Sequence, residues 1–146
     1  MSEPQLGPDG VLGFVLVRTY HHVARRFHES LAPLGLTPMQ FGVLVAISRD
    51  PDVSQAQIAR QVLVTPQSFG EMLPGLEDRG LIRRADPLSR GRPARVALTD
   101  EGAALLGVAA PIVAALNEPA ALGLTQVEHQ RLDALLKKVL AQLGGS

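Results

Sequence analysis

The sequence predicts a mostly α-helical fold with one small β-hairpin. Five segments begin with a helix-start signal, in which a Thr or Ser precedes a proline, a glutamine or an acidic residue at capping positions. Aromatic residues make up only 3% of the chain, so the core must consist of Leu, Val, Ile and Ala, which favours packed helices over a β-sandwich. Two short alternating segments flank a stretch that contains proline and glycine, and this pattern predicts the hairpin.

Six helices are expected in a chain whose 146 residues fit a single domain. The first has no cap signal, but its apolar residues recur at helical spacing. The second contains the run FGVLVAI, which could form a buried strand, although the cap Thr37 and the segment's length favour a buried helix. Gly80 is a suitable end for the fourth. The predicted ranges are about 11–31, 38–48, 55–62, 66–79, 100–116 and 126–143.

The predicted hairpin coincides with a concentration of positive charge. Residues 81–85 and 94–98 can alternate apolar and polar side chains, and Asp86, Pro87 and Gly91 between them are turn residues. Residues 83–95 hold five arginines and one acid, whereas the whole chain has a net charge of zero. The local distribution of charge, and not its total, therefore indicates the kind of partner.

Composition and motifs exclude several classes of protein. Without cysteine the chain can form no disulfide, thiolate metal site or cysteine nucleophile. The first residues do not resemble a signal peptide, and the uncharged stretch 102–116 is too short to span a membrane, so we expect a cytoplasmic protein. His21 and His28 would lie about 10 Å apart on a helix, which argues against a metal site. No catalytic triad or phosphate loop stands out, so we expect neither an enzyme nor a cofactor.

The third and fourth helices form a helix-turn-helix candidate, because a turn of only three residues, 63–65, joins them. The predicted core residues of the fourth helix are Phe69, Met72, Leu73 and Leu76. Its other face begins with the polar residues Thr65, Gln67, Ser68 and Glu71. In this architecture the start of the second helix meets base edges in the major groove of DNA. Glutamine is suited to pair with adenine, and the hydroxyl groups suit phosphates or bases.

The hairpin would then be a wing beside the helix-turn-helix. Guanidinium groups at a hairpin tip can enter a narrow minor groove, where the potential is most negative. Gly91 would allow the backbone to approach DNA closely, and Pro93 would keep the exit extended. The string Arg90-Gly91-Arg92-Pro93 also resembles the core of the AT-hook, a minor-groove peptide. We therefore expect Arg90 and Arg92 to contact DNA.

The whole chain resembles the MarR family of bacterial transcriptional regulators. The resemblance is carried by LTPMQFGVL, VSQAQIARQVLVTPQS, LEDRGLIRRADP and VALTDEG, in that order. It implies a winged helix-turn-helix over residues 37–98, with N- and C-terminal dimerisation helices over 11–32 and 100–143. It further implies a homodimer that binds a palindromic operator in double-stranded DNA, in most cases as a repressor. A small, commonly aromatic, effector would weaken DNA binding.

The resemblance and the residue types together give the predicted sites. The predicted DNA-binding residues are Ser54, Gln55, Thr65, Pro66, Gln67, Ser68, Glu71, Arg90, Gly91, Arg92 and Arg95. The residues proposed to border an effector pocket are Tyr20, His21 and Arg25. An alternative function is a winged-helix protein-interaction module that does not bind DNA, since winged helices also serve in that role.

Several residues depart from the family pattern or have a structural interpretation. Ser89 stands where the wing of the family usually carries an acid. Pro74 inside the recognition helix predicts a kink near residues 70–74, because a proline there removes one backbone hydrogen bond. Arg79 is expected to interact with a helix C-terminus, and one of Arg83 and Arg84 is expected to pair with Glu77, Asp78 or Asp86.

Overall fold

Six α-helices and one antiparallel hairpin occur in residues 9–85 and 95–144, the part of the chain that the computed structural model describes. The helices are α1 Leu12–Leu31, α2 Pro38–Arg49, α3 Gln55–Gln61, α4 Pro66–Asp78, α5 Asp100–Leu116 and α6 Gln126–Leu143. The strands are β1 Ile82–Ala85 and β2 Arg95–Leu98. Every predicted helix and both strands are present, with bounds within one residue of the prediction. Two 3-10 helices, Ala32–Leu34 and Pro119–Leu122, were not predicted.

The chain divides into two compact units, Met1–Ala110 and Pro111–Ser146. In the first unit, α2 contacts α1, α3 and β2, while α4 contacts α3 and β1. The core between these elements is aliphatic apart from Phe69, as the composition predicted. Its largest fully buried side chains are Phe69, Leu31, Leu36, Leu44, Ile58, Leu73, Leu76, Ile82, Val43 and Val96.

Helix α2 is the buried helix of this unit. Thr37 caps it, since the Thr37 hydroxyl accepts from the Gln40 backbone N–H while the Gln40 side chain accepts from the Thr37 N–H. Pro38 takes the first helical position, where a missing N–H costs nothing. The side chains of Val43 and Leu44 are fully buried. The capping box therefore decides the conformation of an apolar run that could otherwise have formed a strand.

The hairpin places its large apolar residues, Ile82, Val96 and Leu98, on one face. Ile82 pairs with Leu98 and Arg84 pairs with Val96 in the antiparallel register, so these four residues share a face of the sheet. Ile82 and Val96 are buried in the core. The tip, residues 86–94, lies outside the described residues, and with it lie Arg90, Gly91 and Arg92.

Helix α4 runs without interruption through Pro74, which the structure places inside the helix. The helix has no side chain at the position four residues earlier, Gly70, where the proline ring would otherwise press against its neighbour. The proline therefore does not end the helix, and a bend of its axis near residues 70–74 stays a prediction.

The second unit contains the end of α5, the 3-10 helix Pro119–Leu122 and α6. Thr125 and Glu128 form a capping box at the start of α6. The His129 ring nitrogen Nε2 lies 2.9 Å from the Asn117 carbonyl oxygen, which ties the first turn of α6 to the end of α5. Beyond His129, every described residue of α6 is exposed in the single chain.

Candidate nucleic-acid interface

The turn between α3 and α4 is closed by backbone hydrogen bonds. The Val64 N–H donates to the Ala59 carbonyl oxygen at 2.9 Å, and the Leu63 N–H donates to the Arg60 carbonyl oxygen at 3.3 Å. This pair of bonds is the Schellman motif, whose central residue takes the left-handed conformation. That residue is Leu63, with a φ of 58° and 86% of its surface exposed. The motif fixes the angle at which the chain enters α4.

The first turn of α4 is fixed by Thr65. The Thr65 hydroxyl accepts from the Ser68 backbone N–H at 3.1 Å and lies 3.0 Å from the Ser68 hydroxyl oxygen. With Thr65 as the donor in this contact, the Ser68 hydroxyl proton stays available to another acceptor. Ser68 is therefore prepared to donate to a phosphate or to an acceptor on a base edge.

The predicted reading face of α4 is exposed. Phe69, Leu73 and Leu76 are buried as expected, whereas Met72 is only half-buried. The residues predicted to contact DNA at the start of this helix, Thr65, Pro66, Gln67, Ser68 and Glu71, are all exposed. Ser54, the exposed N-cap of α3, forms a capping box with Gln57, and Gln55 after it is half-buried.

Helix α4 carries no basic residue. Its sequence, PQSFGEMLPGLED, contains three acids and neither Lys nor Arg. One of the acids, Glu77, is paired across to β1, where the Arg84 Nε lies 3.5 Å from the Glu77 carboxylate. This pair confirms that one of the two strand arginines bonds to a local acid. No side chain of α4 therefore supplies a positive charge to attract the phosphates, whereas residues 83–95 of the hairpin hold five arginines.

The root of the hairpin is tied to the turn that precedes α3. The Arg95 guanidinium donates to the Asp52 carboxylate at 3.0 Å, and both side chains are largely exposed. An exposed pair of this kind contributes about 0–1 kcal/mol to stability. Its position is more informative, since it holds a predicted DNA-binding arginine beside the start of the helix-turn-helix. Sequence reasoning missed Asp52, because the two residues are 43 positions apart.

The end of α4 is held by two further elements. Arg79 donates to the carbonyl oxygens of Gly35 and Leu34, so it binds the turn after α1 and not the C-terminus of its own helix. The Thr99 hydroxyl donates to the Gly80 carbonyl oxygen. The Thr99 backbone N–H donates to the Leu81 carbonyl oxygen at 3.2 Å. The recognition helix is thus anchored to the segments that follow α1 and precede α5.

The predicted effector residues all lie on the exposed surface of α1. The rings of Tyr20 and His21 are 5.5 Å apart and tilted by 57°. Arg25 donates to the Glu29 carboxylate at 2.8 Å, and this hydrogen bond and the charge of Glu29 raise the pKa of Arg25 above its already high value. Their role in binding an effector stays a prediction.

Two cavities of similar size open on the first unit. One of about 270 Å³ is lined by Asp9, Val15, Arg18, Thr19 and His22. The other, of about 290 Å³, is lined by Ile47, Ser48, Pro51, Ala97 and Leu98, between the end of α2 and β2. Neither includes a predicted effector residue.

Residues 9–85 and 95–144 contain neither a metal-binding cluster nor a single helix suited to span a membrane. No group of three or more His, Asp and Glu residues in this part of the chain could hold a metal ion. No single helix there is long and apolar enough to cross a membrane, although Leu12–Leu34 and Pro38–Arg49, bent by 77°, meet the length and composition criteria together.

Comparison with known proteins decides the family. The family model "MarR family" matches residues 34–92. The repressor Rv2887 of Mycobacterium tuberculosis, described as an HTH-type transcriptional repressor, is 34% identical over 134 residues, which cover 92% of this chain and 96% of that protein.

The chain belongs to the MarR family.

Solved structures of MarR-family proteins agree with this assignment. The transcriptional repressor CouR bound to a 23-mer DNA duplex has a TM-score of 0.76 and 32% identity over 99% of this chain and 100% of that one. Rv2887 in complex with salicylic acid has a TM-score of 0.69 and 33% identity over 88% and 96% of the two chains. The predicted family, the winged helix-turn-helix fold and the function class of a DNA-binding transcriptional regulator are thereby confirmed.

Proposed function

We propose that this MarR-family protein is a non-catalytic transcriptional repressor that binds a palindromic operator as a homodimer and is released by a small aromatic effector. The observation that carries the proposal is the start of α4. Its polar side chains are exposed, its first turn is capped by Thr65, and a closed three-residue turn sets it against α3. Such a helix start presents side chains and free backbone N–H groups to the major groove.

The homodimer is supported by apolar surface that the single chain leaves in water. On α6 the exposed fractions are 61% for Leu135, 64% for Leu140 and 79% for Leu143. On α1 they are 72% for Leu12 and 54% for Phe14. Soluble proteins rarely leave such faces uncovered. A second copy of the chain is the occupant that fits best, because a two-fold dimer matches a two-fold operator.

Release by a small aromatic effector is supported by the relatives. Rv2887 has been crystallised with salicylic acid, and CouR with p-coumaroyl-CoA. Each ligand carries a phenol ring that is joined, directly or through a carbon–carbon double bond, to a carboxylic acid or its thioester. On α1 of this chain, the ring of Tyr20 and the guanidinium of Arg25 could bind those two parts, although a carboxylate would have to displace Glu29 from Arg25.

The function is tested by fluorescence anisotropy with the DNA immediately upstream of the coding region and with a scrambled duplex of the same composition. The protein is expected to prefer the upstream DNA by at least about 1,000-fold. Gln67→Ala should reduce that preference by at least about 10-fold, because one base contact is lost in each half-site. Gln130→Ala on the exposed polar face of α6 is the matched control and should bind like the wild type. Salicylic acid and p-coumaroyl-CoA serve as effector probes.

The same assay examines the alternative function. A protein that binds neither duplex above background at low salt would contradict the repressor proposal. That result would favour a winged-helix module for protein partners, for which the three acids of α4 would be suited.

A further inference from the structure

Glu71 lies on the outward face of the recognition helix α4. At about 100° per residue, the buried Phe69, Leu73 and Leu76 lie within about 60° of one another around the axis of α4. Glu71 lies about 200° from Phe69, on the opposite face, and Gln67 is its neighbour one turn earlier. The two longest side chains at the start of the helix therefore project together away from the core.

The Glu71 carboxylate has no cationic partner in the described part of the chain. None of the ion pairs or hydrogen bonds observed in residues 9–85 and 95–144 includes it. The residues three and four positions away on α4 are Gln67, Ser68, Pro74 and Gly75, and none of these is basic. The surroundings are also sparse, because a Cβ added at Gly70 or Gly75 would meet no atom within 4 Å other than those of its chain neighbours and of the backbone of α4. Stabilisation of the fold thus gives no reason for this charge.

A carboxylate in a DNA groove can do little besides accept a hydrogen bond from a base. It repels the phosphates, and it cannot donate. In the major groove, the donor groups are the amino groups of cytosine N4 and adenine N6, and glutamate is the side chain that pairs with cytosine N4. Adenine also presents the acceptor N7 beside its amino group, so it is suited to a side chain such as Gln67 that both donates and accepts.

We propose that Glu71 is a specificity-determining residue that accepts a hydrogen bond from the N4 amino group of one cytosine in each half-site of the operator. This inference rests on the proposed DNA-binding function. The DNA phosphates repel the Glu71 carboxylate, and only the hydrogen bond to cytosine offsets this repulsion. Glu71 therefore favours DNA that has the cytosine and disfavours DNA that lacks it. Two symmetry-related cytosines are expected, since the homodimer presents two copies of α4.

The test is a selection from randomised duplexes with the full-length dimer, followed by anisotropy on single-base variants of the selected site. The wild type should prefer cytosine at one position of each half-site by about 10-fold over the other bases. Glu71→Ala should reduce that preference below about 2-fold and should bind random DNA more tightly than the wild type. Glu71→Gln should change the preferred base from cytosine to adenine, because glutamine pairs with adenine N6 and N7.

Asp78→Asn is the matched control, since it removes one exposed charge from the other end of the same helix. It should keep the cytosine preference of the wild type. Because Glu71 is exposed, both Glu71 variants should unfold at the wild-type temperature.

The outcomes distinguish a failure of the Glu71 contact from a failure of the proposed DNA-binding function. A wild type that binds all duplexes equally would refute the DNA-reading function itself. A wild type whose base preferences survive in Glu71→Ala and Glu71→Gln would refute only the role of Glu71. Loss of the cytosine preference in Asp78→Asn would also refute that role, because the effect would then come from general charge and not from one contact.

Discussion

Leu63 adopts a left-handed backbone conformation that residues with a side chain disfavour. The Schellman motif at the end of α3 requires a left-handed residue, a conformation that glycine adopts freely and a side chain opposes. Leu63 adopts it with a φ of 58° and buries little of its side chain in return. The sequence predicted a tight turn at this place, but the identity of the left-handed residue could not be read from it, because no glycine marks the position.

Leu63→Gly should therefore stabilise the protein. Relief of a left-handed side chain gains about 1–2 kcal/mol, and the greater freedom of glycine in the unfolded chain offsets about 0.4–1 kcal/mol of it. We expect a net gain of about 0.5–1 kcal/mol in the free energy of unfolding, measured by urea denaturation at fixed protein concentration. Leu63→Ala keeps the Cβ and removes the exposed side chain, so it should remain near the wild type. A Leu63→Gly variant less stable than Leu63→Ala would argue against strain at this turn.

Gly102 is required by a close approach of two backbones. A Cβ at this position in α5 would lie 2.0 Å from the Leu81 carbonyl oxygen. Gly102→Ala should destabilise the protein by about 3 kcal/mol, since the start of α5 must move away from the α4–β1 turn. Gly107, in the same helix, has open space around it, and Gly107→Ala should instead stabilise by about 0.5–1 kcal/mol. Thermal unfolding of the two variants checks both predictions, and equal changes in unfolding temperature would contradict them.

At the scale of elements, cap signals predicted the helices well because they are local. Thr37, Ser54, Thr65 and Thr125 each cap a helix as expected, and the bonds span only three residues. Such local signals cannot predict contacts between elements that are distant in sequence. Arg79 lies at the C-terminus of α4 as expected, but its side chain donates to carbonyl oxygens at the end of the 3-10 helix after α1, more than 40 residues away in sequence. Arg95 was predicted to bind DNA, and in the structure its guanidinium donates to Asp52, 43 positions away in sequence.

Helix α6 provides the prediction at this scale. Its apolar stripe includes Leu132, Leu136 and Val139, which are exposed in the single chain. Leu136→Glu/Val139→Glu should convert the dimer to a monomer in light scattering coupled to size-exclusion chromatography, because two buried charges would oppose association. Gln130→Glu/Ala134→Glu adds the same charges to the opposite face and should remain dimeric. Dimers in both variants would place the interface elsewhere than on α6.

At the scale of the whole molecule, fold and family could be predicted because many local signals occur in one order. The helix-turn-helix, the hairpin and the flanking helices each have modest signals, but together they match a single architecture. The specific site was predicted less completely. Gln67, Ser68 and Glu71 are exposed on α4 as expected. Arg90, Gly91 and Arg92 lie outside the described residues, so their contacts with DNA stay a prediction.

Helix α4 and the hairpin are expected to contribute differently to DNA binding. Helix α4, with three acids and no basic residue, would read bases, while the arginines of the hairpin would supply attraction to DNA. Affinity and specificity should therefore respond to different substitutions. Changes on α4 should alter the preferred sequence, and changes at the hairpin tip should weaken binding to all sequences alike.

The most direct measurement is a salt titration of DNA binding for the wild type and for Arg90→Ala/Arg92→Ala. The logarithm of wild-type affinity should fall linearly with the logarithm of salt concentration, by about 0.9 for each phosphate neutralised. The double variant should bind more weakly with a slope smaller by about 1 per arginine, while Lys137→Ala/Lys138→Ala, which removes two charges from α6, should keep the wild-type slope. Equal slopes for the wild type and the arginine variant would contradict the claim that the hairpin supplies the attraction to DNA.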